Sequence, residues 1–189
     1  MRMSMSESDK THFDIKRITA ANWQHLDETT MQLLKMTAVA KTDKEWVEAF
    51  LCPTLNSAVP KEVAKLLEVA RGTMIYGWYF YPLSTLGAEQ CWRVMEAGVR
   101  VRCQQVGIPT VKTIKKGKLK GQAKENSFGE NIEVLVRHGK ISEPDQSRWK
   151  AVKDLRNSTS HPERQMILDS WQALGILCNS VDFLNDLFQ

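Results

Sequence analysis

Apolar residues recur at the spacing of α-helices along most of the chain, and this periodicity predicts a helical protein. Three helices are predicted in the first part of the sequence. They cover about residues 23–40, then 43–51 with Asp43 as the cap and Pro53 as the stop, then 57–72 with Ser57 as the cap and Gly72 as the stop. No catalytic pattern is present here, so we interpret residues 1–72 as an N-terminal helical extension of unassigned function.

The remaining pattern predicts longer helices. An aromatic cluster at residues 76–81 is interpreted as one helix packing against the next, with base stacking as the alternative. Helices then cover about residues 84–106 and 128–138, and two more begin at Ser142 and Ser160, the last running to Phe188. Each of these two starts has a Ser cap, a Pro in the first turn and an acid at the third position. The sequence therefore predicts an all-α fold, with residues 73–189 forming a helical bundle.

Composition places the chain among ordinary globular proteins. It has 189 residues, of which 42% are hydrophobic and 25% charged, enough for one large domain or two small ones and inconsistent with a wholly disordered chain. No apolar run reaches the roughly 20 residues that span a membrane, and the N-terminus lacks a secretion signal. The four cysteines are scattered without metal-ligand spacing, which argues against zinc and disulfides and favours a reducing cytoplasm. We expect a cytoplasmic protein without a cofactor.

The positive charge is local. Residues 112–124 contain six lysines and no acid, so without them the net charge of the chain falls from +4 to −2. Because six like charges in thirteen residues repel one another, we predict a mobile loop. One interpretation is a solvated loop; the other is a nucleic-acid contact that uses all six lysines. The six are Lys112, Lys115, Lys116, Lys118, Lys120 and Lys124.

The candidate chemistry lies between the last two predicted helices. Arg156 and His161 are five residues apart, a spacing that turns about 140° on an unbroken helix and would separate them. The intervening Ser158, Thr159 and Ser160 are poor helix formers, so we expect Arg156 to end one helix and His161 to begin the next. The turn would then bring both side chains to one groove.

These two side chains suit RNA cleavage without a metal. A helix N-terminus disfavours positive charge and would keep His161 neutral, able to take a proton from a ribose 2′-hydroxyl. Arg156 is permanently charged, and its planar guanidinium matches a phosphate and can stabilise the charge of the transition state. Asn157 would orient the phosphate or cap the turn. The alternative is structural, with Arg156 paired to Asp154 or to an acid across the bundle.

The sequence Leu-Arg-Asn-x-x-x-His in this position resembles the HEPN superfamily over about residues 73–189, including the glutamate-bearing long helix before the lysine segment. The resemblance implies a helical bundle and a metal-independent endoribonuclease of toxin–antitoxin, abortive-infection or CRISPR-linked systems. It assigns catalysis to Arg156, Asn157 and His161 only. The subgroup with Tyr two residues after the His is not matched, since Glu163 stands there. Inactive members bind RNA, nucleotide or a partner protein, which is the alternative function for this chain.

The resemblance also implies a homodimer in which two Arg/His motifs share one cleft, with an antitoxin or regulatory protein as a further possible partner. The predicted last helix offers apolar residues partly outside its main stripe of Ile167, Trp171, Leu174 and Val181. These outlying residues form either a broader core face or a partner-facing one, and we expect the latter: Met166, Ile176, Phe183 and Leu187.

Overall fold

The chain folds as a bundle of helices. A computed structural model describes residues 16–26, 28–117, 119–159 and 168–189, and within them the elements are seven helices and one two-stranded sheet, which confirms the predicted all-α class. In chain order these are α1 (Glu28–Thr37), α2 (Asp43–Leu51), α3 (Lys61–Tyr76), α4 (Pro82–Gln105), β1 (Val111–Thr113), β2 (Ala123–Glu125), α5 (Phe128–Arg137), α6 (Glu143–Thr159) and α7 (Ser170–Leu187).

Helix α4 lies at the centre of the bundle and packs against α3, α5, α6 and α7. Its buried side chains include Cys91, Trp92, Met95 and Val99, which follow one another at helical spacing. Four helices cover α4, and the side of this helix that they leave open carries a row of charged residues together with the exposed Leu86. The predicted range of about 84–106 is confirmed to within two residues at its start.

The N-terminal helices belong to the same core as the rest. Helix α3 runs through Gly72 to Tyr76, so the predicted stop at Gly72 is wrong and the proposed domain boundary after residue 72 lies inside a helix. Gly77 follows the last turn of α3, and the buried cluster joins Trp46 and Phe50 of α2 to side chains of α4 and α7. Tertiary packing outweighs the modest cost of a glycine inside a helix.

Two predicted caps are displaced. The side chain of Thr42, not that of Asp43, accepts the hydrogen bond from the Glu45 amide at the start of α2. Helix α3 begins after Pro60, three residues later than the cap predicted at Ser57. Serine, threonine and aspartate all cap well, so the sequence locates a helix start without choosing among close neighbours.

The lysine-rich segment contains a β-hairpin, so the prediction of a loop without regular structure is wrong. Strands β1 and β2 pair antiparallel, with Lys112 opposite Lys124. Gly117 and Gly121 have φ angles of +85° and +88° in the connection, a conformation that glycine adopts without strain. The turn and the backbone hydrogen bonds outweigh the charge repulsion that dominates the sequence pattern.

The last helix is shorter than predicted. Asp169 caps the start of α7 by accepting a hydrogen bond from the Gln172 amide, while the Gln172 side chain bonds back to the Asp169 amide. Leu168 and Asp169 are not helical, and the Leu168 amide donates to the Thr85 hydroxyl of α4. A continuous helix from Ser160 is therefore wrong, because this capping box sets a new start.

Two of the four apolar residues assigned to a partner surface, Phe183 and Leu187, lie in the core instead. Phe183 is buried, stacks edge-on against Trp149 at 4.9 Å and lies beneath the Arg148 guanidinium; Leu187 is also buried. Ile176 packs partly against the core, and Met166 lies outside the described residues. Trp171, assigned to the inward stripe, is instead 65% exposed. Starting the helix ten residues later and packing it against α4 and α6 turns a different face inward.

Two helical glycines should respond oppositely to alanine. At Gly87 an added Cβ would lie 2.4 Å from Met74 Cγ and 3.0 Å from the Ala70 carbonyl oxygen of α3, so Gly87→Ala should lower the free energy of unfolding by about 1–3 kcal/mol. At Gly72 no atom lies within 4 Å of that Cβ, and Gly72→Ala should raise the free energy by about 0.5–1 kcal/mol. Urea unfolding at unchanged m-value measures both. A Gly87→Ala protein as stable as the wild type would show that α3 and α4 do not approach so closely.

Candidate functional site

The open stripe of α4 carries alternating charges. Glu89, Arg93, Glu96 and Arg100 follow at intervals of four, three and four residues, so they lie on one face of the helix. The opposite faces of α4 are buried in the bundle. A polar stripe on an otherwise buried helix must border solvent or another polar group, and here it borders both.

These residues form the floor of a cleft of about 470 Å³, and α6 contributes Arg156 to its wall. Three guanidinium groups and two carboxylates line the space, so the lining charge is +1. Arg156 lies in the last turn of α6, where the helix dipole favours a cation. The helix continues through Ser158 to Thr159, so the expectation that Arg156 ends it is wrong by three residues. The tertiary structure therefore adds Arg93 and Arg100 to Arg156 in one cleft.

Glu96 holds Arg156 in place. The Arg156 Nε–H donates to Glu96 Oε2 at 2.9 Å, and the Glu96 side chain is only 19% exposed. This is the acid across the bundle that the structural interpretation requires. Asn157 lies next to it, and its Oδ1 accepts a hydrogen bond from Arg156 Nη1 at 3.4 Å. Asn157 is inside helix α6 and exposed, so its predicted role as a cap of the turn is wrong.

The lysine hairpin is attached beside this cleft. Arg100, which lines the cleft, forms an ion pair at 3.1 Å with Glu125 at the end of β2. On the other strand, Lys112 pairs with Glu130 of α5. Lys112 and the backbone amide of Ser127 lower the pKa of Glu130 to about 2, so this carboxylate is ionised at neutral pH. Two ion pairs thus fix the base of the hairpin to the bundle.

The remaining predicted site residues are the other five lysines of the basic segment and His161. Lys115, Lys116 and Lys120 are exposed around the hairpin turn, and Lys124 is exposed in β2 opposite Lys112. His161 and Lys118 lie outside the described residues. The contact between the hairpin and the arginine cleft is the ion pair of Arg100 with Glu125, which follows Lys124 in β2.

The residues that sequence reasoning missed are the cleft arginines. The spacing of Glu89 with Arg93 and of Glu96 with Arg100 suggests ordinary stabilising pairs within one helix. In the structure Glu96 instead contacts Arg156 of α6, and Arg100 contacts Glu125 of β2. The available signal was the row of four charged residues along one face of α4, which marks the face that the bundle leaves open.

Comparison with known proteins adds no relative: no protein-family model, no characterised sequence and no solved structure matches this chain. Within the described ranges, no three His, Cys, Asp or Glu side chains are grouped as metal ligands. No helix among the described residues is both long and apolar enough to cross a bilayer.

The contact between Glu96 and Arg156 should contribute to stability more than the neighbouring ion pair. A double-mutant cycle with Glu96→Gln and Arg156→Met should give a coupling of about 1 kcal/mol in urea unfolding, because Glu96 is mostly withdrawn from solvent. The same cycle on Arg100 and Glu125, whose carboxylate is well exposed, should give less than about 0.5 kcal/mol. Equal coupling energies would show that Glu96 does not hold Arg156.

Proposed function

We propose that this chain is a metal-independent endoribonuclease of the HEPN type that binds RNA along the arginine cleft and the lysine hairpin. The observation that carries the proposal is the position of Arg156, which borders one cleft with Arg93 and Arg100 and precedes His161 by five residues. Guanidinium groups bind phosphate by paired hydrogen bonds, and three around one cleft suit a chain of phosphates better than a single neutral ligand.

In the proposed reaction, neutral His161 takes the proton of a ribose 2′-hydroxyl, and the 2′-oxygen attacks the adjacent phosphorus. The bond from phosphorus to the 5′-oxygen breaks, that oxygen takes a proton from water, and the His161 imidazolium returns its proton to the solvent. The products are a 2′,3′-cyclic phosphate and a 5′-hydroxyl. Arg156 stabilises the negative charge that grows on the non-bridging oxygens. Arg93 and Arg100 bind flanking phosphates and take no part in proton transfer.

The alternative is an RNA- or nucleotide-binding module without catalysis. It is favoured by the hydrogen bond between Arg156 and Glu96, since a guanidinium that serves to join α4 to α6 needs no substrate. The two functions differ in whether bound RNA is cut.

Cleavage of a labelled single-stranded RNA in EDTA tests the proposal. The wild-type protein should cut it and leave a 2′,3′-cyclic phosphate, and Arg156→Ala or His161→Ala should slow cleavage by about 10²-fold or more. Arg156→Lys should restore little, because an ammonium lacks the planar fork. The matched controls are Arg137→Ala and His138→Ala, two exposed residues at the end of α5, which should cut at the wild-type rate.

Cleavage of a substrate with a 2′-deoxyribose at the scissile position, or cleavage only with added Mg²⁺, would contradict this mechanism. Arg156-dependent binding without cleavage would favour the alternative. The homodimer that the HEPN resemblance implies is part of the proposal. A mixture of the Arg156→Ala and His161→Ala proteins, each inactive alone, should recover activity if two chains share one cleft.

The hairpin lysines should control affinity separately from turnover. Replacing Lys115, Lys116 and Lys120 with Gln should weaken RNA binding and reduce the slope of log K against log salt by about 0.7 for each phosphate of a single strand that a lysine no longer neutralises. The rate of cutting of fully bound RNA should stay the same, because these side chains lie outside the cleft. The control is a triple Gln variant of exposed Lys44, Lys61 and Lys65, far along the chain on α2 and α3. An unchanged salt slope in the hairpin variant would show that these lysines do not neutralise RNA phosphates.

A further inference from the structure

A second cleft, of about 480 Å³, lies where α2 meets the connection from α3 to α4. We call it the aromatic cleft. Its volume falls in the range of small-molecule sites, about 300–1,000 Å³. Aromatic rings and acidic side chains make up most of its lining: Trp46, Tyr76, Trp78 and Tyr79, with Asp43 and Glu48. None of these residues has a part in the proposed cleavage of RNA.

The rings of the aromatic cleft are fixed in place from below. Trp46 is fully buried, donates its indole N–H to the Ile75 carbonyl at 2.9 Å and lies 5.8 Å from the Trp78 ring. Trp78 and Tyr79 are half-buried, whereas Tyr76 is 64% exposed. The half-buried rings of Trp78 and Tyr79 and the exposed ring of Tyr76 present aromatic faces to a ligand. Because buried Trp46 supports them, binding costs little conformational entropy.

The electrostatics of this cleft favour a positive ligand. Aromatic faces carry the negative part of the ring quadrupole. The cleft also lies at the C-terminal end of α3, which bears the negative end of the helix dipole, and the last turn of α3 contains no basic residue. Asp43 and Glu48 add two carboxylates. The opposing positive charges are Lys44, which is highly exposed and 3.8 Å from Glu48, the N-terminal end of α2, and Lys16 at the border of the cleft.

The chain itself already places an ammonium group at the edge of this cleft. Lys16 Nζ donates to the Tyr79 carbonyl at 3.0 Å, and also to the carbonyls of His25 at 2.7 Å and Asn22 at 3.3 Å. Tyr79 lines the aromatic cleft, so a carbonyl at its border binds a cation in the folded protein. This ammonium adds positive charge at the border, so the attraction for a second cation comes from the aromatic rings and not from this contact.

From these features we infer that the aromatic cleft is a binding site for a small organic ammonium ion, quaternary or N-methylated, such as choline or a methylated lysine side chain. The rings bind the methyl groups, which carry the positive charge and need no hydrogen-bond partner. The Asp43 and Glu48 carboxylates offset the positive charge of Lys44 and Lys16. A primary ammonium is a poorer ligand here, because it loses more hydration on entering a ring-lined space.

Calorimetric titration of the full chain at constant ionic strength tests this site with four ligands. Choline should bind saturably, whereas 3,3-dimethyl-1-butanol, its neutral counterpart of the same shape, should bind at least tenfold more weakly. A trimethyllysine peptide compared with its unmodified form distinguishes a free ion from a modified side chain. Equal binding of choline and the neutral alcohol, or no binding of any methylated cation, would overturn the inference.

Substitutions locate the site. Tyr76→Leu removes an exposed ring without opening the core and should weaken choline binding by about threefold to tenfold. Glu48→Gln should weaken it by about twofold to threefold, more strongly at low salt. The matched controls are Trp171→Leu, an exposed ring on α7, and Glu62→Gln, an exposed acid on α3, and neither should change the affinity. Unfolding curves confirm that each variant is folded, and an equal loss in the controls would contradict the placement.

Discussion

The burial of α4 is the constraint on which the rest of the structure depends. Four helices pack around it, so its apolar residues are removed from water on every side except one. At roughly 25 cal/mol per Å² of apolar surface, a helix covered in this way is a major source of stability for the bundle. The charged residues from Glu89 to Arg100 therefore lie on the open side of α4, where they line the cleft.

Charge in this cleft is balanced by contacts that come from distant parts of the chain. Arg156 is bound to Glu96 of α4, and Arg100 is bound to Glu125 of the hairpin. A guanidinium held by a carboxylate stays oriented, so these contacts fix the direction in which each planar group faces. The same ion pairs that join the elements therefore set where an anionic ligand meets positive charge.

The molecule separates its two kinds of electrostatic surface. Arginines and the hairpin lysines gather along α4, α6 and the sheet, while carboxylates and aromatic rings gather where α2 meets the end of α3. The first surface suits a polyanion and the second an organic cation, so the proposed ligands would not compete for one site.

The sequence by itself determined the helical class, the central helix over about residues 84–106, and Arg156 in the last turn of α6, because hydrophobic period and helix-end chemistry act over a few neighbouring residues. It misplaced the stop at Gly72, the hairpin within the lysine segment and the start of α7. Each of these depends on packing or on a choice between competing caps. Only the tertiary structure brought Glu96 to Arg156, separated from it by 60 residues, and Phe183 into the core beside Trp149. Local pattern fixes which face of a helix is apolar, but the partner of that face is decided by the packing of all the helices together.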